Sequence, residues 1–337
     1  MLTTLTELPP ALLAASPTAL HTVLPGPTLI HLTGRRQTPL FVSVLLHGNE
    51  HTGLEAIQAV LARYRTQPLP RALSLFVGNV AAAAQGQRRL EGQPDYNRVW
   101  PGASSAGLPE HAMMCDVVEQ MRRRSVFASI DIHNNTGLNP HYGCVNRLDR
   151  QVLHLAMLFS RIVVFFQRPL GVQSMAFAQL CPAVTLECGK AGEGSATEHA
   201  AAFVDAALHL DHFPEHFVAP RDVALYRTIG IVKMSDGVSF GFDREHVDVS
   251  FDRDLDHMNF RELDSGARIA RVRAGCLQPL EVYDEAGLSV AGHYFEVIGT
   301  ELRTRRRVVP AMLTLDERAI RQDCLCYLME PHSLPFA

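Results

Sequence analysis

The chain has 337 residues, 47% hydrophobic and 20% charged, which is globular composition and enough length for about two domains. A disordered, collagenous or coiled-coil chain is excluded. Thirty-one basic against thirty-five acidic side chains leave a formal charge of −4, without the basic excess that binding a phosphate backbone needs, so no nucleic-acid partner is expected.

No run approaches the roughly 18 apolar residues of a membrane span. The N-terminal stretch has no basic residue ahead of its short apolar run, as a signal peptide would. The seven cysteines are scattered and odd in number, so they form no regular disulfide framework. A cytoplasmic protein with no membrane partner is expected.

Up to about residue 210, short apolar runs alternate with helical patterns, the rhythm of an α/β domain with a largely parallel sheet. Phe41 to Leu46 predicts a buried strand and 54–64 a helix. Leu73 to Val77 predicts a strand, 110–123 a helix, Val126 to Ile132 a strand and 148–160 a helix. Ile162 to Phe166 and Ala183 to Leu186 predict further strands, and 196–210 a helix. HFPEHFVAPRD (212–222) then looks like a linker. Beyond it VALYRTIGIVKM, ARIARVRA, LEVYD and YFEVIG are short β-patterned runs separated by Gly, Asp and Ser. The expected organisation is an α/β domain over 1–215, which the motifs below make the catalytic one, and a smaller β-rich domain over 216–337.

The residues that suggest chemistry lie where predicted strands end, which is where α/β sheets build their sites. In LLHGNEHTG (45–53) a strand runs into His47 and Glu50, and Gly48-Asn49 between them supplies a tight turn that would let both meet one cation. His51 opens a rival: His47, Glu50 and His51 also spell H-x-x-E-H, a helical zinc motif. A glycine and an asparagine inside the motif, and a strand before it, favour the strand-and-turn arrangement. His133, in SIDIHNNTG, ends another strand pattern. Two imidazoles and one carboxylate are the donor set of catalytic rather than structural zinc, and Asp131 could orient the His133 ring if the backbone bends there. Glu187, in AVTLECGKAG, ends a further apolar run, and a carboxylate beside a metal centre is the usual general base for hydrolysis. Taken singly, each has a blander alternative: a polar loop, a satisfied strand end, a helix cap.

Taken together, HGNEHTG (47–53), GNVAAAAQGQRR (78–89), PDYNRVWPG (94–102), DIHNNTG (131–137) and LECGK (186–190) resemble, in order, the blocks of the succinylglutamate desuccinylase/aspartoacylase family, a branch of the zinc carboxypeptidase-like hydrolases. The resemblance implies a carboxypeptidase-like mixed, largely parallel sheet flanked by helices. It implies one Zn²⁺ per chain on His47, Glu50 and His133, with Glu187 as catalytic base. Asn97 and Arg98 correspond to the pair that grips a substrate carboxylate, and Arg88 to the arginine that stabilises the oxyanion, with Arg89 as the other candidate. Aspartoacylases carry a Tyr and an Arg in the approach to the catalytic glutamate; QSMAFAQLCPAV (173–184) has neither.

The implied function is zinc-dependent cleavage of the amide of an N-acyl amino acid. The alternative is a zinc carboxypeptidase acting on short peptides or γ-glutamyl conjugates. A protease using His51 and a metal-binding module without catalysis are further readings. The partner is a small N-acyl amino acid or short peptide with a free carboxylate, and a homo-oligomer is left open. Cys188 is expected to pack rather than react.

Overall fold

The computed structural model describes residues 1–104 and 107–334. The chain forms two compact units. The first holds Met1–Asn134, His141–Leu225 and the end of the chain from Ser333; the second holds Asn135–Pro140 and Tyr226–His332.

In the first unit the elements are β1 (Thr3–Leu5), β2 (Thr28–Leu32), β3 (Gly34–Val44), α1 (Thr52–Arg63), β4 (Leu69–Val77), α2 (Val80–Ala84), α3 (Pro109–Arg123), β5 (Ala128–Asn135), β6 (Tyr142–Val145), α4 (Arg150–Phe159), β7 (Ile162–Phe165), α5 (Gln173–Phe177), β8 (Ala183–Lys190) and α6 (Gly194–His209). The strands lie in the order β1-β2-β4-β3-β5-β8-β6-β7. β3 runs parallel to both β4 and β5, while β2 is antiparallel to β4 and β6 to β8. This is the α/β sheet expected from the alternating pattern, in the mixed, largely parallel form that the resemblance implies.

The two-residue period of a strand sorts the side chains by face. Leu40, Val42 and Val44 of β3, Ile130 and Ile132 of β5, and Val184 and Leu186 of β8 pack in one core with Leu54, Ile57 and Val60 of α1 and Phe203 and Val204 of α6. The contact is close: a Cβ on Gly53 of α1 would lie 2.9 Å from Val44 Cγ1. On the opposite face Phe41 and Ala183 join Met114 and Val117 of α3, Phe177 of α5 and Trp100, and Phe41 stacks on Phe177 with ring centroids 4.2 Å apart. Each fully buried Leu, Val or Phe contributes about 1.5–3 kcal/mol, so both faces are firmly held. By the same alternation Ser43, Ser129, Asp131, His133, Thr185 and Glu187 share the face of Phe41 and Ala183, and all six are buried.

The second unit carries β9 (Ala224–Met234) from Tyr226 on, β10 (Phe240–Phe242), β11 (Val249–Phe251), β12 (Arg268–Val272), β13 (Leu280–Tyr283), α7 (Ala291–Tyr294), β14 (Phe295–Ile298), β15 (Glu301–Thr304), β16 (Val309–Ala311), α8 (Glu317–Gln322) and β17 (Cys326–Pro331). One sheet runs β10-β11-β12-β15-β14; β9 pairs antiparallel with β13 and β17. Val232, Phe251, Val282, Leu302 and Leu328 lie in its core. Residues 135–140 are bracketed inside this unit. Asn259 Nδ2 donates to the carbonyls of Leu138 and Leu313 at 2.9 and 2.8 Å, and Asp256 Oδ2 accepts from Leu138 N at 3.0 Å. A Cβ on Gly137 would fall 1.8 Å from Leu313 O, so only glycine lets the segment approach. Among the described residues, no helix is long and apolar enough to cross a membrane.

Candidate metal centre

At the end of β3 the chain turns sharply at Leu45, a non-glycine residue at φ 55°. Gly48 then passes so close to α2 that a Cβ would lie 2.2 Å from Ala83 N. Its N–H donates to Arg88 O at 3.0 Å, and Glu50 N–H donates back to His47 O at 3.1 Å. This tight turn is the local reason why His47 and Glu50 converge: His47 Nδ1 lies 2.8 Å from Glu50 Oε1. His133 arrives from β5, its Nδ1 2.7 Å from the other oxygen, Oε2. Both imidazoles and the carboxylate are buried, and one ligand atom from each lies within 4.8 Å of the other two.

The far side of each ring is also occupied. His47 Nε2 meets Asp95 Oδ1 at 2.9 Å and His133 Nε2 meets Asp131 Oδ2 at 2.7 Å. With an ion bound, a carboxylate on Nε2 would keep the proton there and leave the Nδ1 lone pair for the metal. Two such nitrogens and a carboxylate oxygen are the donor set that zinc takes, so the residues present fit the ion. Asp131 needs no backbone bend to reach its ring, because residues two apart on β5 already share a face.

The electrostatics follow from this packing. Burial opposes ionisation of Glu50, yet the His47 and His133 charges outweigh it and hold the carboxyl well below the usual range. Burial likewise disfavours the His133 imidazolium, but Asp131 and Glu50 raise its pKa well above the ordinary value. Asp95 is opposed by burial and then held low by His47, Arg88 and Arg98. Glu187 differs: burial, with help from Glu50 and Asp131 and against His133 and Arg88, pushes its carboxyl up to about 8. It sits on β8 opposite Tyr142 of β6, and a carboxyl that exchanges its proton near neutral pH is suited to moving one.

Arg88 spans the centre, Nη1 on Glu50 Oε1 at 3.2 Å and Nη2 on Asp95 Oδ2 at 3.1 Å. Arg89 instead donates to Gln93 O at 2.8 Å, so Arg88 is the arginine brought to Glu50. Asn97 is buried, its Nδ2 3.2 Å from His133 Nε2 and its Oδ1 accepting from Gln173 N at 2.9 Å. Half-buried Arg98 donates from Nη1 to Asn97 O at 2.8 Å. His51 lies outside the group: it stands at the N-terminal cap of α1 with Nδ1 2.8 Å from Glu55 Oε1.

Two participants escaped the sequence reading. Asp95 sits in the PDYNR run, where attention fell on Asn97 and Arg98. Asn134, next to His133, donates its N–H to Glu50 Oε2 at 3.2 Å and its Nδ2 to Thr52 Oγ1 and Gly189 O at 2.9 and 3.1 Å. Neither carries a spacing signal that marks it beforehand.

Residues 37–210 match the model of the succinylglutamate desuccinylase/aspartoacylase catalytic domain. No curated protein matches the chain. Among solved structures, the succinylglutamate desuccinylase from Chromobacterium violaceum superposes with a TM-score of 0.57 at 19% identity, over 90% of this chain and 87% of that one. A succinylglutamate desuccinylase/aspartoacylase from Rhodobacter sphaeroides gives 0.59 at 13%, over 90% and 88%. Murine aminoacylase 3 gives 0.53 at 14%, over 90% and 99%. At these identities the likeness is one of fold.

Proposed function

The chain belongs to the succinylglutamate desuccinylase/aspartoacylase family, and from that premise we propose that it hydrolyses the amide bond of a small N-acyl amino acid, using one Zn²⁺ per chain held by His47, Glu50 and His133. The observation that carries the reading is the convergence of His47 Nδ1, His133 Nδ1 and the Glu50 carboxylate, each ring backed by a carboxylate on Nε2. When bound, the ion acts as a Lewis acid on the scissile carbonyl and makes water nucleophilic at neutral pH.

The rest falls to the protein. Glu187 takes the proton of the attacking water and returns it to the leaving amine, a role for which a carboxyl pushed up to about 8 is well placed. Arg88, fixed by Glu50 and Asp95, offsets charge that grows on the carbonyl oxygen. Asn97 and Arg98 hold the substrate's free carboxylate, for which a planar guanidinium offers two parallel donors. In the 173–184 stretch, Gln173 is spent on Ser129 Oγ at 2.7 Å and Phe177 on Phe41. No cation from that stretch meets an acidic side chain, which favours N-acyl amino acids other than N-acetylaspartate. A cytoplasmic setting suits cysteines that form no disulfide among the described residues.

The test is a panel of N-acetyl and N-succinyl amino acids set beside tripeptides, incubated with the zinc-loaded protein and read by release of free amine. Cleavage of the short acyl compounds is expected. Cleavage of the tripeptides alone would overturn the deacylase reading in favour of a carboxypeptidase.

A further inference from the structure

Ser43 is a buried polar residue on the face of the sheet that carries the metal centre, and the proposed chemistry does not use it. Ser43 lies on β3 directly opposite Asp131 of β5 in the parallel register, and both are fully buried. Ser43 Oγ–H donates to Asp131 Oδ1 at 2.7 Å. The other acceptor within reach, Ile130 O, is at 3.5 Å, too long to compete. Asp131 Oδ2 meanwhile takes the Nε2–H of His133 at 2.7 Å. The chain of contacts therefore runs Ser43, Asp131, His133, and its last member turns Nδ1 to Glu50 at 2.7 Å.

The nearest residue of β3 on the same face, Phe41, is a core residue, and burying an unpaired hydroxyl beside it would cost about 1–3 kcal/mol. The one short bond of the Ser43 hydroxyl is to the carboxylate. Ser43 holds one oxygen of Asp131 while the other meets the imidazole, so both carboxylate oxygens are engaged and the group is tied at two points.

We propose that Ser43 is a positioning residue for the metal centre: by fixing the Asp131 carboxylate it fixes the tautomer and tilt of His133. The inference rests on the proposed zinc site. β3 would then serve the centre twice, leading into His47 and Glu50 beyond its end and steadying His133 from Ser43, its penultimate residue.

The test reads metal binding and not turnover. Zinc affinity is measured by competition with a chromophoric chelator for the wild type, Ser43→Ala, Ser43→Thr, Asp131→Asn and the Ser43→Ala/Asp131→Asn double variant, with the melting temperature of each metal-free protein recorded alongside. Loss of a carboxylate partner behind a ligating histidine weakens binding by about 10–100-fold, and that is expected of Asp131→Asn. Ser43→Ala should weaken zinc by about tenfold, Ser43→Thr should recover most of it by keeping the hydroxyl, and the double variant should bind no worse than Asp131→Asn alone. A merely structural serine would lower the melting temperature without this pattern. Should Ser43→Ala not fold, Ser43→Cys keeps the volume with only a weak donor and should show the same loss. Zinc binding by Ser43→Ala or Ser43→Cys equal to the wild type, or additive losses in the double variant, overturns the proposal. A wild type that binds no zinc overturns the metal centre itself.

Discussion

His47 Nε2 lies 2.9 Å from Asp95 Oδ1, and the second oxygen of that carboxylate is held by Arg88 Nη2 at 3.1 Å. Asp95 thus ties a metal-facing ring to the arginine beside it, and also accepts Asn97 N–H at 2.7 Å. Asp95→Asn keeps the shape and an acceptor for His47 but removes the charge. Zinc affinity should fall by about 10–100-fold, measured by chelator competition. Unchanged affinity would mean that His47 needs no partner behind it.

Glu187→Gln should lower turnover by about 10²–10⁴-fold while zinc stays bound, because the amide keeps the shape and loses the basic oxygen. The same variant reports on stability. Unfolded, the carboxyl ionises near its ordinary 4.5; folded, it keeps its proton to about 8. Between those values the folded chain binds a proton that the unfolded chain has released, so this group's contribution falls as pH rises, by roughly 1 kcal/mol per pH unit. His133, with its pKa held above 6.5, pulls the same way above that pH in both proteins. Denaturant melts of the metal-free pair from pH 5 to 8 should therefore show a steeper decline for the wild type than for Glu187→Gln. Parallel curves would place Glu187 in a less buried setting.

His51→Ala should leave zinc binding intact and cost under about 1 kcal/mol, since the residue makes only a half-exposed pair with Glu55. Glu50→Gln should release the metal. The helical H-x-x-E-H arrangement predicts the reverse, with His51 indispensable and the glutamate dispensable for binding, so zinc stoichiometry of the two variants separates them.

Much of this was legible in the chain. The strands expected at Phe41–Leu46, Leu73–Val77 and Ala183–Leu186 correspond to β3, β4 and β8, because buried strands announce themselves as short runs dominated by apolar residues. The expectation that His133 and Glu187 follow their strands was short by a few residues: β5 runs on to Asn135 and β8 to Lys190, polar residues there being carried by ladder bonds and not by hydrophobicity. β6 and α5 were not anticipated, since four or five residues give no period to read. Asp95 behind His47 and Ser43 behind Asp131 are long-range pairings that no local pattern encodes. The same holds for residues 135–140, whose place in the second unit depends on Asn259 and Asp256 more than a hundred residues on.

If Asn97 and Arg98 hold a free carboxylate, converting that group to an amide should cost about 2 kcal/mol or more in kcat/KM, because it replaces a charge-assisted pair of bonds to the guanidinium by neutral ones. Arg98→Lys should fail to restore the loss, since an ammonium cannot reproduce two parallel donors. The cost should appear with any accepted substrate, N-acyl amino acid or peptide, because both present that carboxylate. The acyl side then decides between them. In the proposed roles Arg88 and Glu187 would act on the carbonyl whatever lies beyond it, so a deacylase and a carboxypeptidase would differ only in the room left on that side. Substrates carrying one acetyl group and three residues there, compared at equal concentration, should favour the former. Equal rates for free acid and amide would remove Arg98 from substrate binding, and faster cleavage of the longer compound would make the protein a peptidase.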